Sequence, residues 1–118
     1  MNLILHIKIC KDAFNFIEPA SIKDCQYIDI DNFSDAVMVE TVSKSVDLSE
    51  KLLVFIQIDG QYELGLLMKV IQKLMKHKRD ILFFHSGDHE KLDKMLVLMR
   101  SRKIDKADFV SEAVSSFT

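Results

Sequence analysis

Leu52-Leu53-Val54-Phe55-Ile56-Gln57-Ile58, ending at Asp59-Gly60, decides the fold class of this chain. A short run of leucine, β-branched and aromatic residues with almost no polar alternation is the pattern of a strand buried on both faces, in a sheet covered by helices on each side. Downstream, Leu67, Val70, Ile71 and Leu74 stand at i, i+3, i+4 and i+7, which places them on one stripe of a helix with Lys69, Lys73 and Lys76 projecting outward. The basic run Lys76-His77-Lys78-Arg79 closes that helix, where positive charge complements the negative end of the dipole. Ile81 to His85 repeats the buried-strand pattern, and Ser86-Gly87-Asp88 reads as a turn that also caps the next helix. That helix carries Leu92, Met95, Leu96 and Met99 on its core stripe and closes on Arg100, Arg102 and Lys103. A terminal helix follows, with Phe109, Val110, Ala113, Val114 and Phe117 on one face. Strands joined by crossover helices are normally parallel and right-handed in their connection, so this half implies an α/β layered domain.

Toward the N-terminus the pattern is less regular. Leu3 to Cys10, rich in isoleucine, reads as a first strand inside the sheet. Lys11 to Lys23 holds the only proline, Pro19, and reads as a long connection or a short helical turn. Tyr27, Ile28 and Ile30 make a short strand ending at Asp31-Asn32, a pair suited to a turn or a helix cap. Phe33 to Val42 fits either element: Val37, Val39 and Thr41 favour a strand, while Phe33, Ala36, Val37 and Glu40 can be placed at helical spacing. A helical turn from about Ser43 to Lys51, with Val46 and Leu48 inward, leads back to Leu52.

A chain of 118 residues has the size of one domain with one core, and three glycines and one proline are too few for the closely spaced turns of a β-sandwich or barrel. The expected fold is therefore a single α/β domain over residues 1–118, with helices packed on a mixed or mostly parallel sheet of about four to five strands, STAS-like or flavodoxin-like. No apolar run approaches the ~18 residues of a membrane span, and Leu3 to Ile9 is too short and too interrupted for a signal peptide. A cytoplasmic protein without membrane contact is expected, with Cys10 and Cys25 as buried free thiols. The net charge of −2 conceals an asymmetry: Asp24 to Glu50 carries seven acidic residues against Lys44 alone, and Lys69 to Lys106 carries eleven basic against five acidic. Helix C-terminal complementarity accounts for most of the basic clustering, and with a negative total and no tryptophan, nucleic acid is not the expected partner.

From Lys51 onward, the order and lengths of the elements resemble the C-terminal part of a STAS domain, the small fold of bacterial anti-sigma factor antagonists. The shared features are a buried strand, a loop opening a helix, another strand, a helix and a terminal segment from Asp105 to Phe117. The resemblance is architectural and covers a little over half the chain. It implies a partner-binding protein. In that family the strand-to-helix loop carries a Ser or Thr whose phosphorylation breaks partner binding, whereas here the loop reads Asp59-Gly60-Gln61-Tyr62-Glu63, without that switch.

Ligands of open α/β sheets bind beyond the carboxyl ends of the strands, which directs attention to Cys10-Lys11-Asp12, Asp59-Gly60-Gln61 and Ser86-Gly87-Asp88-His89. No Walker or dinucleotide pattern is present, and Asp88 with Glu90 sets negative charge where a phosphate would bind. Asp59, His85, Asp88 and His89 are the densest candidate ligand or metal set, and a zinc site needs three or four such groups converging at about 2 Å. Their alternative roles are structural: Asp59 and Asp88 as helix caps, His85 as a partly buried strand residue and His89 as a surface one. Ser86 lacks the two flanking glycines of a nucleophile elbow, and no catalytic residue or cofactor is expected. Asp29 and Asp31 share a strand face and read as solvated edge charges.

Val97 and Leu98 lie off their helix's core stripe, as Leu64 and Met68 partly do on the preceding helix. Either neighbouring elements bury them or, with Gln61 and Tyr62 of the loop, they form the expected partner-binding set. The leading expectation is thus a non-enzymatic regulatory or protein-interaction domain that binds a protein partner or itself. The alternative is a small enzyme or a metal or ligand binder built on Asp59 and His85 to His89.

Overall fold

The computed structural model describes residues 2–11, 25–76 and 81–117. In chain order the elements are β1 (Asn2–Ile9), β2 (Cys25–Asp31), α1 (Ala36–Leu48), β3 (Leu52–Ile58), α2 (Leu67–Lys76), β4 (Ile81–Ser86), α3 (Asp93–Leu98), β5 (Arg102–Lys103) and α4 (Lys106–Phe117). The strands form one sheet in the order β2-β1-β3-β4-β5, and every pairing is parallel. This is the flavodoxin-like doubly wound order, in which the winding direction reverses between β1 and β3.

Alternation along the strands sorts the core into two layers. Leu3, Leu5, Ile7 and Ile9 of β1 join Leu52, Val54, Ile56 and Ile58 of β3 beneath α1, α2 and α3. Ile4, Leu53, Phe55 and Phe84 face the other way, against Phe109 and Ala113 of α4. Phe109 stacks on Phe55 with centroids 4.7 Å apart and meets Phe84 edge-on at 5.8 Å. The stripe Leu67, Val70, Ile71 and Leu74 is buried as its spacing requires, and each such side chain contributes roughly 1.5–3 kcal/mol relative to exposure.

The segment that fits two elements in the sequence resolves as helix. Asp35 caps α1 by accepting the Met38 N–H at 2.9 Å, and Val39, Val42 and Val46 make its buried stripe. Burial of that stripe outweighs the strand preference of the valines, which is a weak prior that tertiary packing overrides. The helix therefore starts well before Ser43, and Leu48 points outward rather than inward. Two further expectations are corrected. Arg102 and Lys103 belong to β5 rather than to the end of α3, which stops at Leu98 and is closed by a turn with Arg100 at φ 56°. Leu82, within the supposed two-sided buried strand, is exposed. The expectations for Lys11 to Lys23 beyond Lys11 and for His77, Lys78, Arg79 and Phe117 fall outside the described residues or side chains.

Candidate functional site

The switch point between β1 and β3 holds a polar network on the α4 face. His6, almost fully buried in β1, lies between Tyr27 of β2 and Gln57 of β3, at 2.9 Å from the Tyr27 hydroxyl and 3.0 Å from Gln57 Oε1. Gln57 Nε2 donates to the Asp59 carboxylate at 3.3 Å, so Oε1 accepts from His6 Nε2–H. Lys8, two residues after His6 on the same face, brings Nζ to 3.6 Å from Asp59 Oδ2, with 6% of the lysine side chain exposed against 40% of the carboxylate. A charge buried to that extent needs a partner, and Asp59 supplies one. Beside it, Asn32 clamps the ends of β1 and β2 together: its Oδ1 accepts the Cys10 N–H at 3.0 Å and its Nδ2 donates to the Cys10 carbonyl at 3.1 Å. His6, Lys8, Tyr27, Asn32 and Gln57 escaped the sequence reading because lone polar residues in strands give no motif. A His and a Lys at alternate positions of an isoleucine-rich strand were the available signal.

The four candidate ligands do not converge. Asp59 follows the alternation of Phe55 and Gln57 onto the α4 face, whereas His85 follows Ile81 and Phe83 onto the opposite face. His85 Nδ1 is 2.7 Å from the Ser101 hydroxyl, and its pKa is held below the ordinary 6.5, first by burial and then by Lys103, against the opposing pull of Asp88 and Asp93. Asp88 pairs with Lys103 at 2.9 Å on the surface and caps no helix. The residue at the N-terminus of α3 is Leu92, and Asp93 accepts the His89 N–H at 3.1 Å. His89 is buried, not a surface residue: Nε2 donates to the Tyr62 carbonyl at 2.8 Å and Nδ1 accepts the Lys91 N–H at 3.2 Å. Both ring nitrogens are thereby engaged by backbone. Among the described residues, no three His, Cys, Asp or Glu side chains are grouped so as to hold a metal ion.

Compared with known protein families, curated proteins and solved structures, the chain matches none of them.

The expected partner-binding residues divide into two groups. Gln61 ties two loops together, Nε2 donating to the Asp88 carbonyl and Oε1 accepting the Glu90 N–H, both at 2.8 Å. Leu64 is buried, and Tyr62 and Met68 pack against the larger core, so these three side chains are spent on the interior. Val97 and Leu98 do stand free, at 77% and 73% exposure. Leu98 borders a groove of about 560 Å³ with Leu82, Met99, Arg100, Arg102 and Glu112, floored by Ile81 and Phe83. The groove exists because β5 pairs only with Phe84 and His85, which leaves the outer side of Ile81 to Phe83 without a neighbouring strand among the described residues. Cys10 and Cys25 are free thiols, the latter half-buried and with its pKa pushed up by burial. Asp31 is also buried, its carboxylate accepting the Phe33 N–H at 2.8 Å, which replaces the expected solvated edge charge with a turn-forming one. No helix among the described residues is long and apolar enough to cross a membrane.

Proposed function

We propose that this chain is a non-enzymatic protein-interaction domain of the cytoplasm whose binding surface is the outer edge of β4. The observation that carries this reading is the groove beside Ile81 to Phe83, where a strand edge with no partner strand ahead of β5 among the described residues is bordered by Leu82, Leu98 and Met99. An open edge offers a row of main-chain donors and acceptors to another chain, and exposed apolar side chains beside it add contact area. The strand-end residues that would serve an enzyme are instead engaged with one another or with backbone. A regulatory role of the kind implied by the STAS resemblance would use this edge rather than the Gln61–Tyr62 loop, which is committed to internal contacts.

Leu82→Asp and Leu98→Asp place charge on the groove without touching the core. Each is expected to reduce capture of the cellular partner at least tenfold in quantitative affinity pull-downs while leaving the melting temperature within a few degrees. Val37→Asp, on exposed α1, should leave capture unchanged. Equal capture by all three variants would refute the assignment of the surface.

A further inference from the structure

We propose that the β4 edge takes an acidic, extended segment of another protein, added to the sheet as a short strand. The proposal rests on the reading of this edge as the interaction surface and deepens it by naming the occupant's chemistry. Three observations converge on it.

The first is backbone polarity. The Ile104 N–H donates to the His85 carbonyl at 2.9 Å, so the His85 main chain faces β5. Successive residues of a strand turn their main-chain groups to opposite sides, so Ile81 and Phe83 also face outward; the register at Phe84↔Arg102 gives the Phe83 carbonyl to the Arg102 N–H, and the Ile81 groups and the Phe83 N–H lie ahead of β5. An incoming strand of about three residues, roughly 10 Å long at 3.3 Å per residue, fits that stretch and extends the ladder.

The second is charge. The sheet order carries the sequence asymmetry into space: β2, from the acidic stretch, is one edge, and β4 with β5, from the basic stretch, is the other. At the groove, Arg100 and Arg102 line the wall together with Glu112, which accepts from Arg102 Nη2 at 3.1 Å, so Arg100 is the lining cation that no carboxylate among the described residues pairs. Guanidinium groups bind carboxylates through a planar fork of donors.

The third is the backbone of Arg100. It sits at φ 56°, in the left-handed region that favours glycine, at the turn closing α3. Its N–H donates to the Val97 carbonyl and that of Ser101 to the Leu96 carbonyl, both at 3.0 Å. A glycine would close this helix with less strain, and the arginine there adds a cation to the groove wall.

The same charges argue against a second copy as the occupant. Two β4 edges related by a two-fold axis would set Arg100 and Arg102 against their own equivalents. Joining this edge to the acidic β2 edge of another copy would repeat head to tail without closing.

The experiment uses the whole chain and three labelled pentapeptides: Glu-Val-Glu-Val-Glu, Lys-Val-Lys-Val-Lys, and the acidic peptide with proline in place of its central glutamate. The acidic peptide should bind at least tenfold more tightly than the other two in fluorescence anisotropy, and its addition should shift the Ile81 and Phe83 amide resonances. Arg100→Gly, which the backbone conformation favours, should weaken that binding at least fivefold while the amide spectrum stays folded. Equal binding of the acidic and basic peptides overturns the proposal, as does acidic binding that leaves the Ile81 and Phe83 amides unmoved. A dimer in light scattering that Leu82→Asp dissolves overturns it too, in favour of a second copy. If the groove variants of the preceding section abolish partner capture while the acidic peptide shows no preference, only the occupant's chemistry fails. If they leave capture intact, the surface itself fails.

Discussion

The carboxyl end of the sheet and the outer edge of β4 lie on the same strand, yet they use their residues in opposite ways. At the carboxyl end, the β3–α2 and β4–α3 loops are sewn together by Gln61 and by His89, whose hydrogen bonds run to main-chain atoms of the neighbouring loop. Along the edge, β5 covers two residues and stops, leaving apolar side chains and main chain at Ile81 and Leu82 without a partner strand among the described residues. A polar side chain near a strand end is thus a poor guide to a ligand when neighbouring backbone needs hydrogen bonds, because unsatisfied buried groups cost about 1–3 kcal/mol each. Where the sequence shows polar density, the folded chain consumes it; the free surface is apolar.

The sharpest way to break the sewn end is at Gly87. It adopts φ 77°, and a Cβ added there would collide with the Ile58 carbonyl oxygen, so the start of the β4–α3 loop lies against the end of β3 only because this residue has no side chain. Gly87→Ala is expected to destabilise the fold by about 3 kcal/mol in urea denaturation, from left-handed strain plus the clash. A loss under about 1 kcal/mol would show that the two loops separate without cost. Removing one stitch should cost less. Gln61→Ala forfeits two exposed hydrogen bonds, and the expected loss is about 1 kcal/mol, with faster hydrogen exchange at the Glu90 amide as the local signature.

The smallest effect is a pH dependence where the two regions meet, at His85. Its folded pKa lies below the ordinary 6.5, chiefly through burial, so as pH falls through 6.5 the unfolded chain takes up the proton first. The contribution of His85 is present above the unfolded pKa and is lost as pH falls through the folded one. Melting temperatures between pH 7.5 and 5 should therefore decline slightly more for the wild-type protein than for His85→Gln. The difference is modest because the imidazole is only partly buried. Equal slopes would mean that burial of the imidazole imposes no preference for the neutral ring.

The fold was legible in the sequence to an unusual depth in one place and hardly at all in another. β3 spans the same Leu52 to Ile58 that its apolar run marks, and α2 buries the four residues its period selects, because burial on two faces or on one stripe leaves a periodic imprint. α1 left no such imprint: valines at its buried positions suit a strand as well, and the decision between them required the sheet on which they pack. β5 is two charged residues, and only its pairing with Phe84 and His85 makes it a strand.

For the site, the sequence supplied residue types and loop positions, and those were read from local spacing alone. Asp59, His85, Asp88 and His89 are close in the chain or in neighbouring loops, but side-chain alternation sends Asp59 and His85 to opposite faces of the sheet. The His6–Gln57–Asp59–Lys8 network joins residues up to 51 positions apart and exists only because β1 and β3 are parallel neighbours in a fixed register. By itself, then, the sequence determined a single α/β domain, its buried strands and helix stripe, and the place of Val97 and Leu98 off their helix's core stripe, since these depend on periodicity within one element; that no neighbouring element covers those two was decided by tertiary structure. The strand order, the separation of acidic and basic edges and the groove at β4 were decided by tertiary structure, because each depends on which element lies beside which.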